Sequence, residues 1–580
     1  MMKTERILSL ALSGILCLTA AAQTDSTTID RTVTVEREFK PVIQSAGKLS
    51  VKPEVYEPKL TPMEVNYSDY SEPAQTDYSL YPLGWSETTF TQPRPMKGFV
   101  RGGFGHTATQ LDFYYTMTER RNLQLDLHAS HLGQWGRKTL ARSALGLDLT
   151  KRFGSGEFYF GVDAANIYLT RYGRYFQYTD LQRMQGEFKN LDSYSRFSAE
   201  DKNAQWEIDT RIGVRSLPGA ELQYKVQTGY EAFVAKANTV EHTIHTEGMF
   251  EWQREEHHVG ANLLVENHLY SFDRAAFETF YLTHDKTMRS LDSTAYHAVK
   301  LEPYYAYEGR RFRIHAGVNL DVCAGKGKVF LPSPKVDFEA KLTKDWLALY
   351  GGAVGQYATS STREHFGYLR YLHAENEFTT LYNRTYTPVQ AFLGFKLRPQ
   401  RTLLVNIYAR YGYTKYDVFF RPEAVGGQQT GYFNLVSKPY QQWQIGARFS
   451  YHYQDIVSIA LNGFYNIWKM DDYASFNLPV NHILDRPTWG LNFRVDGKID
   501  SKWSLYSDNQ FGGGRYALDY SGQAVALKPT IDLNLGVQYN VNRWLACYFQ
   551  LNNYLHRKHD VFYGYQSQGI NFMLGVSYTF

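Results

Sequence analysis

The chain has almost no cysteine. Three occur in 580 residues, and only Cys323 and Cys547 follow the N-terminal leader described below. That excludes a fold stapled by disulfides. On the alternation set out below, Cys323 shares a face with Arg313, His315 and Asp321, and Cys547 with Leu545, Phe549 and Leu551. These are opposite sides of one wall, so a bridge between the two is not expected. Long apolar runs are missing too: after the leader, no stretch approaches the ~18 apolar residues of a membrane helix. Charge of one sign is missing as well, since 62 Lys and Arg stand against 58 Asp and Glu. With no basic cluster, nucleic acid is excluded as a partner. Proline is scarce and uneven. Eight of the 19 fall between Gln23 and Met96, which defeats helix and central strand there and predicts an extended segment.

What is present is aromatic and glycine-rich. Phe, Tyr and Trp make up 16%, with 46 Tyr and 45 Gly. That composition, at modest hydrophobicity, fits a membrane β-barrel, where every second residue meets lipid. The N-terminus carries an export signal: basic Lys3 and Arg6, apolar Ile7 to Leu18, and small Ala20-Ala21-Ala22 before Gln23. Cys17 is not a lipoprotein cysteine, because Leu16 precedes it where a small residue is needed. The expected organisation is a signal peptide over 1–22, a Pro-rich periplasmic or luminal segment over 23–96, and an outer-membrane barrel over 97–580.

From Lys97 onward, strand-like runs alternate in character with period two. Trp206, Ile208, Ile212 and Val214 lie on one face, and Glu207, Asp209, Arg211 and Arg215 on the other. Leu222, Val226 and Tyr230 alternate with Lys225, Gln227 and Glu231, and Ile314, Val318 and Leu320 with Arg313 and Asp321. Leu491, Phe493 and Val495 alternate with Arg494, Asp496 and Lys498. A soluble sandwich seldom sustains this over so many strands, whereas a barrel must, since each strand crosses lipid. Short connections (153–156, 309–310, 500–502) alternate with long ones (173–203, 273–294, 359–387, 421–438, 471–487). The short ones fit periplasmic turns and the long ones extracellular loops, giving an all-β transmembrane antiparallel barrel of about 20–22 strands. The first hairpin is expected at residues 98–104 and 109–116. Tyr168, Tyr172, Trp252, Tyr304, Trp443, Trp468, Trp489 and Trp503, near run ends, are expected in the interfacial aromatic girdles.

The chain ends on one such strand. Phe572, Leu574, Val576, Tyr578 and Phe580 alternate with Met573, Gly575, Ser577 and Thr579. A bare apolar edge invites aggregation, but a closed barrel pairs its last strand with its first. This ending resembles the C-terminal strand of bacterial outer-membrane barrels, and the resemblance implies an assembly signal read by the barrel assembly machinery. Near the mature start, Asp30-Arg31-Thr32-Val33-Thr34-Val35 is similar to the TonB box. With these features the chain resembles the TonB-dependent-receptor-like outer-membrane barrels of Bacteroidetes type. The resemblance implies that Thr32, Val33, Thr34, Val35 and Glu36 form a strand binding a periplasmic TonB-type protein. One departure stands out: Gln23 to Met96 is Pro-rich and shorter than a full plug domain.

No catalytic constellation appears, so an enzyme is not expected, nor a cofactor or resident metal. The 17 His are scattered, and adjacent His257 and His258 point to opposite faces of a strand. Glu364-His365 and His373-Ala374-Glu375 have two readings, a metal pair or solvated loop residues, and the second is favoured. The inward charges Glu207, Asp209, Arg211, Arg215, Lys225, Glu231, Arg313, Asp321, Arg494, Asp496 and Lys498 carry both signs. They predict a wet lumen without strong ion selectivity, each charge paired across neighbouring strands. The function expected is an outer-membrane transporter or channel, TonB-linked, for a solute the sequence does not name. The alternative is a structural or assembly component that docks a partner at the membrane; conductance in a planar bilayer separates the two.

Overall fold

The fold is described from a computed structural model. It covers residues 97–120, 122–135, 139–170, 202–217, 219–235, 239–271, 295–324, 330–343, 346–369, 371–372, 384–425, 428–454, 456–471 and 473–580. All belong to the second of two compact units, Asp77–Phe580. The leader, Thr32 to Glu36, and His373 with Glu375 lie outside the described residues.

Twenty-two strands, from Gly98–Gly105 to Asn571–Thr579, form one antiparallel sheet. Each strand pairs with the next along the chain, and the last pairs with the first, Phe99 opposite Thr579 and Gly102 opposite Val576. Gly98 and Phe580 exchange backbone hydrogen bonds of 3.0 and 2.9 Å, which completes the seam. Closure leaves no free edge, the condition for a sheet to stand in lipid. The count falls within the expected 20–22, and the first hairpin falls where expected, Gly98–Gly105 with Ala108–Arg120. No helix among the described residues is long and apolar enough to cross a membrane.

The alternation is met in three dimensions. Trp206, Ile208 and Ile212 are exposed outward, as are Phe572, Leu574, Val576 and Tyr578, while Asn571, Met573 and Ser577 between them are buried. The outer surface is thus an apolar band of the kind a bilayer covers, and the polar residues line the interior. Cys323 is buried inside and Cys547 lies on the outward register beside Val576, on opposite sides of the wall.

The wall has a short-turn end and a long-loop end. Turns such as those at residues 154–155 and 255–256 lie at one end, with φ of +44° at Gly154 and +57° at Glu255 closing them tightly. The other end carries a seven-residue helix (Thr362–Tyr368), a 3₁₀ turn (Tyr473–Phe476), and two small hairpins (Tyr516–Leu518 with Ala524–Ala526, Asp560–Phe562 with Tyr565–Gln566). Two expectations are corrected here. The loop expected over 421–438 is instead strand at 421–425 and 428–438, because Leu403–Val425 and Gln428–Tyr453 continue their pairing there. The β-prone run at 433–436 is held by that ladder. Of the girdle residues, Tyr304 faces inward and Trp468 is buried among the long-loop-end side chains, because each falls on the inward register of its strand.

Candidate functional site: a strap across the barrel mouth

The inward charges stand where the alternation puts them, and most meet an opposite charge. Arg211 pairs with Asp148 and, at 3.6 Å, with Asp163; Arg215 pairs with Glu157, and Lys225 with Glu247 at 2.8 Å. Arg494 holds Asp496 at 2.7 Å and Asp508 at 3.6 Å. Asp321 is buried opposite Lys300, Arg313 stands between Glu308 and Glu339 in the register, and Lys498 is exposed at the short-turn end. The lumen wall is polar and internally neutralised.

Glu207, Asp209 and Glu231 differ, for their cation comes from a loop. They lie on the sixth and seventh strands, Lys202–Ser216 and Leu222–Ala235. The loop leaves the thirteenth strand, Leu347–Thr359. At its root the Thr359 hydroxyl donates to Glu266 at 2.6 Å and accepts from Lys300 at 3.2 Å. Ser361 then caps the short helix. Its hydroxyl accepts from the Glu364 N–H at 3.1 Å, and the Glu364 carboxylate accepts from the Ser361 N–H at 3.0 Å. This reciprocal capping box starts a helix too short to persist alone.

From that helix Arg363 reaches the opposing wall. Its Nη1 donates to Asp209 at 3.0 Å and Glu231 at 2.9 Å, its Nη2 lies 3.6 Å from Glu207, and its backbone N–H donates to Glu241 at 3.1 Å. Burial alone would lower the guanidinium pKa, but Glu207, Glu231 and Asp209 hold it above its ordinary value. Two residues further along, His365 is buried, and burial pushes its imidazole down to about 4, against the opposing pull of Glu241 and Asp417.

Beyond Arg363 the loop is apolar. Phe366 packs on Phe233, an aromatic on the otherwise wet face of the seventh strand, with ring centroids 5.4 Å apart. Leu369 and Leu372 join Phe420, Phe433, Phe562 and Tyr565 in one buried cluster. Tyr371 stacks on Tyr565 at 4.1 Å, and the Phe433 N–H donates to the Tyr371 carbonyl at 3.0 Å. Phe433 belongs to the sixteenth strand, so the loop runs as a strap from the sixth and seventh strands to the sixteenth of twenty-two.

A second apolar cluster lies on the other face of the long hairpin. Phe419, Tyr440, Trp468, Ile483, Leu484 and Leu518 are buried together. Arg486 ties the 471–488 loop down by pairing with Asp417 and donating to Tyr440. Asp485 accepts from the Phe420 N–H at 2.9 Å, and burial raises its carboxyl to about 6. Arg515 donates to the Asp560 and Val561 carbonyls, joining the two small hairpins. Among the described residues, the long-loop end therefore carries two packed apolar clusters tied together by Arg486 and Arg515.

Among the described residues no group of three His, Cys, Asp or Glu side chains could hold a metal ion. Glu364 sits in the capping box and His365 is buried, while their sequence companions His373 and Glu375 lie outside the described residues. Sequence reasoning missed Arg363, Phe366 and Phe233. The signals were Ser361-Thr362-Arg363-Glu364, a capping-box pattern, and Phe233 on the wet register.

No family model matches the chain, and no curated protein matches it by sequence. Solved structures do match in fold. A point mutant of the ferric enterobactin receptor of Pseudomonas aeruginosa is similar with a TM-score of 0.60 at 12% identity, over 83% of this chain and 80% of that one. The siderophore receptor PirA of Acinetobacter baumannii gives 0.61 at 10% identity, over 83% and 80%. The FrpB iron transporter of Neisseria meningitidis gives 0.61 at 9% identity, over 84% and 82%. At these identities the likeness establishes a shared barrel fold.

Proposed function

We propose that this chain is an outer-membrane transporter that admits a solute through its lumen and draws energy from a periplasmic TonB-type protein. The observation that carries the reading is the closed twenty-two-strand wall, apolar outside and charge-paired inside, with packed loop clusters at its long-loop end among the described residues. A wall alone would serve a structural component; a polar lumen with packed loop clusters at one end serves controlled passage. Outer-membrane lipid covers the apolar band, the long-loop end faces outward, and the barrel assembly machinery inserts the chain through its terminal strand. The Bacteroidetes-type resemblance, and a short Pro-rich segment in place of a full plug, belong to this proposal. The similar structures are siderophore receptors and an iron transporter, so ferric chelates are the first solute class to test.

The test is uptake of a radiolabelled ferric chelate by cells with and without the protein. Wild type raises uptake, and Val33→Pro abolishes the gain while the barrel still assembles, because proline removes a backbone donor from the pairing strand. Unchanged uptake across a panel of chelates, with no current from the purified protein in planar bilayers, overturns the reading. Equal uptake by wild type and Val33→Pro overturns the TonB link alone.

A further inference from the structure

The strap is attached to the barrel in two different ways. Toward the sixteenth strand it is held by Leu369, Tyr371 and Leu372 packed against Phe433 and Tyr565, and by the Phe433 N–H donating to the Tyr371 carbonyl at 3.0 Å. Toward the sixth and seventh strands it is held by Arg363, whose contacts are charged and directional. Phe366 on Phe233 supports it there by packing.

The charges on the wall are unbalanced without the strap. Asp209 and Glu231 stand directly opposite each other in the register, and Asp163 faces Asp209 from the other side. Glu207 lies on the same face two residues away. Other basic side chains reach this group less closely or are engaged elsewhere: Arg142 lies 3.9 Å from Glu207, the His245 ring 3.7 Å from Glu231, and Arg211 is taken by Asp148 and Asp163. Like charges directly opposite on paired strands destabilise the pairing. Arg363 removes that repulsion by entering between Asp209 and Glu231, so the wall favours the strap in its closed position.

We infer that the strap, residues 360–369 with Tyr371 and Leu372, is the gate of the outer mouth and that Arg363 is its latch. The role of the gate rests on the transport reading above; the latch itself does not. Closure is set by one guanidinium among three carboxylates, and opening is withdrawal of that side chain with the helix that carries it. The far end, fixed to the sixteenth strand by apolar packing and the backbone bond between Phe433 and Tyr371, then acts as the hinge side.

The experiment measures the strap directly. Spin labels go on Gly367→Cys, where an added Cβ meets nothing within 4 Å, and on His106→Cys, exposed in the turn between the first two strands. Cys323 and Cys547 are replaced by alanine, and heat-modifiability gels confirm a folded barrel in every variant. The wild-type chain gives one narrow distance. Arg363→Ala adds a second, displaced population, raising the open fraction roughly tenfold or more. Asp209→Asn with Glu231→Gln does the same, and Arg363→Lys stays close to wild type. A distance distribution in Arg363→Ala identical to wild type overturns the latch. If the strap moves but no variant passes solute or current, the transport reading fails and the latch stands.

Discussion

Tyr506 lies flat across Gly536, its partner on the next strand, so that a Cβ at the glycine would overlap the ring. Both face the lumen, and the Arg494 guanidinium stands 5.6 Å over the same ring. Tyr408 covers Gly446 in the same manner. Gly536→Ala therefore costs about 1–3 kcal/mol through overpacking. Tyr506→Ala in the same chain relieves that cost. Midpoints of thermal unfolding on gels should show the double variant losing less than the sum of the singles, and strict additivity would mean the contact has no energetic weight.

Adjacent residues on one strand should differ sharply in their tolerance of charge. Phe493 is on the outward register of Trp489–Lys498, and Asn492 beside it is exposed to the lumen. Phe493→Arg should cost roughly 2–4 kcal/mol near the middle of the bilayer, and Asn492→Arg far less, since its head stays in water. Equal losses of folded barrel on gels would place the register of this strand in error.

The seam depends on its last residue. Phe580 exchanges two backbone hydrogen bonds with Gly98 and sets its ring 5.8 Å from that of Tyr115. Deleting Phe580 removes both bonds where the cylinder closes. Outer-membrane levels should fall and periplasmic degradation products rise, as followed by fractionation and immunoblotting. Normal insertion of the shortened chain would show that closure tolerates the loss.

How far the structure is legible in the sequence depends on the solvent each residue meets. Ile208 and Asp209 announce their faces because lipid and water impose opposite demands on neighbours, and that constraint repeats on every strand. The loop clusters obey no such period. Phe366 meets Phe233, and Tyr371 meets Tyr565, across long stretches of sequence, with only composition to mark them. Arg363 reads as one charge in a polar loop, because its three carboxylates sit more than a hundred positions earlier in the chain. Phe433 and Leu435 read as loop residues because the alternation that marks lipid-crossing strands gives way, above the membrane, to burial on both faces.

The long-loop end should loosen in acid. His365 in the strap and His559 in the last small hairpin are 5% and 3% exposed. Burial pushes both imidazoles down to about 4; for His559 the Arg515 cation adds to this, and for His365 Glu241 and Asp417 oppose it. A folded pKa below the ordinary 6.5 means that the native fold holds the neutral ring. Its contribution is complete above pH 6.5 and is lost as pH falls through 4, at most about 3 kcal/mol per histidine. Asp485 has the opposite sign. Burial raises it to about 6, so its contribution is present below pH 4 and lost as pH rises through 6. Amide exchange, corrected for intrinsic rates, should therefore show residues 361–369 and 559–567 losing protection between pH 6.5 and 4. The Phe420 amide, bonded to Asp485, should not follow them. His365→Phe keeps a ring in the site and removes the charge, so the strap should then stay protected in acid while the hairpin at His559 still opens. If the strap of that variant loosens as readily as wild type, proton uptake at His365 is not what releases it.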